Sequence, residues 1–270
     1  MTLLISLYLL FHPAAQPLPV NAQGSATDLY YVVFLRPDPA RVRLAPEESQ
    51  RIQAAHMANI NAMGASGVLV AAGPFGDTPP TISGIFVFKV ASLAEAKRIA
   101  ALDPTVVEHR NTVDVVAWRG PRGIGEEHRR LHSQNPDMPQ GMGVQPLFLM
   151  YRGPAAGDPV AALQAHAAYV ERLRADGKIA AAGPTEADKE LLSIVTFNRI
   201  PFEEATKLMA DDPSVKSGAL KAESHQWWCA EHVLPGAGDV DDFLATLLEE
   251  VHPRIEGRAA WALVKPRDGK

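Results

Sequence analysis

Gly67-Val68-Leu69-Val70-Ala71-Ala72-Gly73-Pro74 and Gly177-Lys178-Ile179-Ala180-Ala181-Ala182-Gly183-Pro184 are the stretches from which the fold can be read. Each is a short apolar run opened by Gly and closed by Gly-Pro, the signature of a strand bounded by turn residues. They stand 110 positions apart, and each follows a similar histidine segment: Ala55-His56-Met57-Ala58 and Ala165-His166-Ala167-Ala168. Beyond them, with one residue dropped, Glu95-Ala96 faces Glu204-Ala205 and Asp103-Pro104-Thr105-Val106 faces Asp212-Pro213-Ser214-Val215. Trp118 faces Trp227. So many matches kept in order mark a tandem duplication.

Working outward, residues 29–36 (Leu-Tyr-Tyr-Val-Val-Phe-Leu-Arg) are rich in β-branched and aromatic side chains and end at Pro37, which predicts a strand. Pro46-Glu47-Glu48 opens a helix with proline at its start and acids in its first turn. Ile52, His56, Ile60 and Met63 then recur at helical spacing until Gly64 and Gly67. Runs 68–72 and 82–90 predict a β-hairpin. Ser92 with Glu95 forms a capping box for a second helix, and Asp103-Pro104 ends it. Thr112–Trp118 closes the unit as a strand. The order is β-α-β-β-α-β, a ferredoxin-like unit, and segments 147–151, 160–175, 178–182, 192–198, 202–210 and 220–229 repeat it. The domains expected are 29–119 and 146–230, joined by a Pro- and Gly-rich linker over 120–145. Residues 231–270 carry one amphipathic helix (240–251) and a polar tail. A four-stranded sheet with both helices on one face leaves its other face bare. Two such sheets packed face to face, ~10 Å apart, would bury both within one chain. The fold class is α+β, an intramolecular pseudo-dimer.

Composition narrows the function. Lys and Arg number 26 against 31 Asp and Glu, a net charge of −5, so no nucleic-acid partner is expected. Hydrophobic residues at 47% and charged residues at 21% describe a globular chain rather than a disordered one. The single cysteine, Cys229, excludes intrachain disulfides and multi-cysteine metal sites. At the start, Leu3–Phe11 is an uncharged apolar run too short to span a bilayer, which takes about 20 residues as helix. Pro13, Pro17 and Pro19 follow, then Val20-Asn21-Ala22, a small-residue cleavage pattern. A signal peptide over 1–22 is expected, with export to the periplasm or outside the cell and no membrane association after its removal. An apolar extension or a misplaced start codon is the other reading of this segment.

The helix histidine, the Gly-x-Leu strand ending in Ala-Gly-Pro and the helix closing at Asp-Pro-x-Val resemble the YCII-related (YciI-like) domain family. The resemblance covers 29–119 and, more loosely, 146–230. It implies a ferredoxin-like, dimeric α/β-barrel, here formed within one chain. It also implies a His–Asp pair in a cleft: His56 with Asp103, and His166 with Asp212. The family includes a dehydrochlorinase acting on a chlorinated hydroxyquinol, while most members have no assigned activity.

The residues give that pairing an independent rationale. Both histidines sit among apolar residues of their helices, where an unpaired polar group is costly. A carboxylate accepting the Nδ1–H fixes the tautomer and leaves Nε2 for proton transfer. Such a dyad, placed between the sheets, suits proton abstraction beside a carbonyl and hence a lyase or isomerase; no cofactor and no metal is called for. The bland reading is a satisfied core histidine and a helix-stopping Asp-Pro, which duplication would copy as faithfully. Arg51, with Ala161 at the matching position, is a candidate for binding an anionic ligand, and Gly73, Pro74 and Asp77 are candidates for the substrate rim. Gly73-Pro74 also reads simply as a strand-ending turn. If only one site works, the first is expected. His128 and His132 could share a helix face and hold a metal, but their basic surroundings favour a solvated segment. Cys229 reads as a buried inert thiol. The competing function is a non-catalytic ligand-binding or scaffolding protein of the same fold. The partners expected are a small-molecule ligand and, as an open option, a second copy of the chain.

Overall fold

The computed structural model describes residues 27–235 apart from 78–79, 139–140, 156–158, 187 and 189. The expected signal peptide (1–22) and the helix and tail over 240–270 lie outside the described residues. The first unit runs β1 (Thr27–Pro37), α1 (Pro46–Ala65), β2 (Leu69–Pro74), β3 (Gly84–Phe88), α2 (Leu93–Ala100), α3 (Pro104–Val107) and β4 (Asn111–Pro121). A connecting helix, α4 (Glu126–Gln134), leads to the second unit. That unit runs β5 (Met142–Arg152), α5 (Pro159–Ala175), β6 (Ile179–Glu186), β7 (Leu191–Phe197), α6 (Phe202–Ala210), α7 (Pro213–Lys216) and β8 (Leu220–Ala230).

Local chemistry accounts for the boundaries. Ser92 accepts the Glu95 N–H at 3.1 Å, and the Glu95 carboxylate turns back to the Ala91 N–H at 3.2 Å. The Asp-Pro pairs do more than stop α2 and α6. Each aspartate caps a one-turn helix that opens with its proline, because proline suits the first helical position and the carboxylate accepts the N–H two residues on. Within the stretch expected to be a plain linker, Ile124 is buried and α4 follows it. Gly125 N–H donates to Val233 O at 2.7 Å and His128 N–H to His232 O at 3.1 Å, tying α4 to the chain beyond β8.

The expectation of two stacked sheets closed into a dimeric α/β-barrel is corrected by the strand topology. All eight strands form one sheet in the order β2-β3-β1-β4-β6-β7-β5-β8. The units join edge to edge at β4 and β6, through Ala117↔Glu186 and Trp118↔Thr185. At the two ends of the sheet, the backbone pairing between the end of β2 and β8 consists, among the described residues, of the isolated bridge Phe75↔Trp227 and the bond from Gly76 N–H to Gln226 O at 2.8 Å. No ladder forms there, so the sheet is open. Strand alternation divides the core. In the first unit Tyr31, Val33, Leu35, Phe86 and Phe88 face the helices, with Met63, Ala96 and Ala100. In the second, Phe148, Val195 and Phe197 do so, with Leu163, Val170 and Met209. The alternate residues, Tyr30, Val32, Phe34, Ile85 and Trp118 from one unit and Leu147, Leu149, Ile194 and Trp227 from the other, form a shared core. The cavity left in it is about 10 Å³, room for roughly one water-sized sphere.

Candidate functional site

His56 lies in the middle of α1, and Asp103 sits in the turn between α2 and α3, which lays its carboxylate beside the imidazole. Nδ1 of His56 is 3.0 and 2.9 Å from the two carboxylate oxygens. Asp103 is fully buried and accepts three further bonds. Asn59 Nδ2 donates to Oδ2 at 3.0 Å, while the Thr105 N–H (2.9 Å) and hydroxyl (2.6 Å) donate to Oδ1. Burial alone would push the Asp103 carboxyl up; the bonds from His56, Thr105 and Asn59 outweigh it and hold the group below its ordinary range. The His56 ring stacks on Phe86, with centroids 5.8 Å apart, and its side chain is 14% exposed.

The second copy repeats the pair and seals it. His166 Nδ1 is 2.6 Å from Asp212 Oδ2, and both side chains are 0% exposed. The Asp212 carboxyl is likewise pushed up by burial, but the His166 bond and charge, with Ser214, bring it below its ordinary range. Tyr169 takes the place of Asn59, and its hydroxyl donates to Leu208 O instead. Ser214 takes the place of Thr105, and its hydroxyl donates to the carbonyl of Ala162.

The pairs do not lie between the units. Phe86, under His56, faces the helices, whereas Ile85 and Val87 on either side of it line the shared apolar cavity. His56 and that cavity are therefore on opposite faces of β3.

The other candidates are placed as follows. Arg51 grips Glu48 through two bonds (2.9 and 2.7 Å) and Glu108 through a third (2.8 Å), so its charge is already matched. Gly73 passes so close to β8 that a Cβ there would stand 1.7 Å from Trp228 O, and Gly183 stands in the same relation to Arg119 O. Gly73 and Pro74 thus belong to the contact between units. Asp77 is bonded to His225 Nδ1 across the same contact. His225 is buried, stacks on Phe75 at 4.5 Å and has Glu223 3.1 Å from its Nε2. Cys229 is buried, which pushes its thiol up to about 12 and keeps it protonated. His128 bonds Glu231 O at 3.0 Å. Among the described residues no group of three His, Cys, Asp or Glu side chains is placed to hold a metal ion. No helix among them is long and apolar enough to cross a membrane.

Sequence reasoning missed Asn59, Thr105, Glu223 and His225. Two signals were present. Asn59 stands three residues after His56 on one helix face, and Thr105 stands two after Asp103, the spacing of an Asx turn. Nothing in the sequence pairs Asp77 with His225.

The YCII-related domain profile matches this chain twice, over residues 29–119 and 145–224. The chain belongs to the YCII-related domain family. Its two YCII-related domains are the two units of the sheet. Comparison with curated proteins finds no match. Among solved structures, a chlorite dismutase mutant from Candidatus Nitrospira defluvii is similar at 9% identity and a TM-score of 0.47, covering 83% of this chain and 96% of that one. A heme-binding protein from Thermus thermophilus is similar at 14% identity and a TM-score of 0.42, covering 81% and 97%. Likenesses at this level carry nothing about the chemistry of this YCII-related protein.

Proposed function

We propose that this protein binds a small molecule and that the first domain's His56–Asp103 pair is its acid–base centre. The observation that carries the reading is the difference between the copies: the same pair is 14% exposed at His56 and fully sealed at His166. A base must reach the proton it removes. With Nδ1 held by Asp103, Nε2 of His56 takes a proton from a carbon beside a carbonyl. The electron pair of the broken C–H bond forms a new double bond. In an elimination the group on the next carbon leaves with its bonding pair, as chloride would; in an isomerisation the proton returns at another carbon. Neither route needs a cofactor. Export of the chain remains part of the proposal and is tested by where the protein is found.

A panel of hydroxylated and chlorinated aromatics, followed by the imidazole resonances of the full chain, tests this. Ligands are expected to move His56 and leave His166 in place, and His56→Ala is expected to abolish turnover while the fold persists. Turnover that survives His56→Ala would end the catalytic reading. One observation favours a second reading: in both copies the aspartate also caps a one-turn helix. On that reading the pairs are pins in a non-catalytic binding or scaffolding protein. His56→Ala would then change stability alone and leave ligand binding unchanged.

A further inference from the structure

The two domains hold equivalent carboxylates in different ways. Asp212 accepts from His166 and from the Ser214 N–H. The Ser214 side chain also acts on Asp212, as the Thr105 hydroxyl does on Asp103 Oδ1; what Asp103 accepts in addition is the Asn59 amide on Oδ2. We propose that Asn59 and Thr105 are positioning residues that fix the Asp103 carboxylate against Nδ1 of His56 and draw off part of its charge, so that Nε2 is the nitrogen that meets small molecules with an acidic C–H or O–H. This rests on the reading of His56 as the working base.

The charge of Asp103 is shared among the donors that meet it. A buried carboxylate with few donors keeps its charge available to the imidazole and favours the imidazolium form, which cannot accept a proton. Each additional donor spreads that charge and weakens the pull. The spread is even: His56 spans both oxygens, Thr105 loads Oδ1 and Asn59 loads Oδ2. The donors are also neutral and local. Asn59 is one turn from His56 on α1, and Thr105 is in α3, so both are fixed by the elements that carry the pair. Of the other charged groups, Glu47 lies in the first turn of α1, while Glu48 and Glu108 (after α3) are both bonded to Arg51. Phe86, from β3, brings no charge. In the second domain the tyrosine at the Asn59 position turns its hydroxyl to the Leu208 carbonyl, so the amide donor on Asp103 Oδ2 has no equivalent at that position.

The test is an NMR pH titration of His56 in the full chain, assigned with His56→Asn, comparing Asn59→Ala, Thr105→Val and the conservative Thr105→Ser, with His166 as internal reference. Removing either donor is expected to move the His56 midpoint upward by about half a pH unit or more, with Thr105→Ser near the parent. His166 should not move. A His56 midpoint that is unmoved or lower in both Asn59→Ala and Thr105→Val, with the fold intact by amide spectra, overturns the inference. A purely structural role predicts that unmoved midpoint with a lowered unfolding transition. If Thr105→Val does not fold, Asn59→Ala on the half-buried face of α1 carries the test alone. The titration reads the pair directly, so its outcome stands apart from the ligand screen: the tuning survives if no substrate is found, and the catalytic reading survives if the tuning fails.

Discussion

At Asp103 and Asp212 one side chain does two tasks, capping a short helix and holding an imidazole, and this sets how the protein should respond to acid. Both carboxyls are held below their ordinary value in the folded chain. An unfolded aspartate titrates near 3.9, so their contribution is fully present above about pH 5 and is lost as pH falls through the folded values. Urea unfolding between pH 3 and 7 should therefore show an acid limb that flattens in Asp103→Asn and Asp212→Asn. An unchanged limb in both variants would mean the acid sensitivity lies elsewhere. The two pairs should differ in cost. His166→Ala leaves a fully buried carboxylate with Ser214 as its remaining donor and is expected to lose about 3–5 kcal/mol. His56→Ala leaves Asp103 with its Thr105 and Asn59 bonds, and about 1–2 kcal/mol is expected. Equal losses at the two sites would argue that exposure makes no energetic difference between them.

The elements themselves were readable where periodicity and caps act locally. The alternation in residues 29–36, the proline-led start of α1 and the Ser92 cap all specify their neighbours within four residues. What escaped was structure whose signal is ambiguous at short range. Asp-Pro stops one helix and starts another, and the second role is invisible without the carboxylate's acceptor position. The Pro- and Gly-rich stretch around α4 has the composition of a linker, yet it is held by partners more than a hundred residues away. His109, just past α3, adopts φ 51°, and the equivalent residue after α7 is Gly218 at φ 74°. A left-handed backbone costs a residue with a Cβ roughly 1–2 kcal/mol, offset in part by the greater freedom of unfolded glycine. The His109 side chain is 85% exposed, with Asp38 3.9 Å away, and so contributes little. His109→Gly should raise stability by about 0.5–1 kcal/mol, read as a higher urea midpoint at unchanged slope. A lower midpoint would show that the imidazole contributes more than its exposure implies.

Across the whole molecule, duplication set up two equivalent contacts between the units, and they have been secured differently. At the β4–β6 contact two residue pairs are in register, the Trp118 indole N–H donates to Gly183 O at 3.0 Å, and Arg119 pairs with Glu186 at 2.6 Å. At the β2–β8 contact the ladder is reduced to one bridge, and side chains take over. Asp77 binds His225 and also accepts the Gln226 N–H at 3.4 Å, beside the Gly76-to-Gln226 backbone bond. His225 stands where the first unit has Val116, so this arrangement has no counterpart on the other side. No periodicity links residues 77 and 225, so the sequence offers no sign of this pair; the closed barrel was expected from the family resemblance and from the two bare sheet faces. The asymmetry makes a specific prediction about where the sheet opens. In Asp77→Ala, hydrogen exchange of the Gly76 amide should speed up about tenfold, the factor for ~1.4 kcal/mol of lost local stability. The Trp118 indole proton, at the other contact, should keep its parent rate. If both protons accelerate together, the contacts open as one cooperative unit and Asp77 merely adds to global stability. If Gly76 does not change, the single bridge and its backbone bond hold β2 to β8 without help from the Asp77–His225 pair.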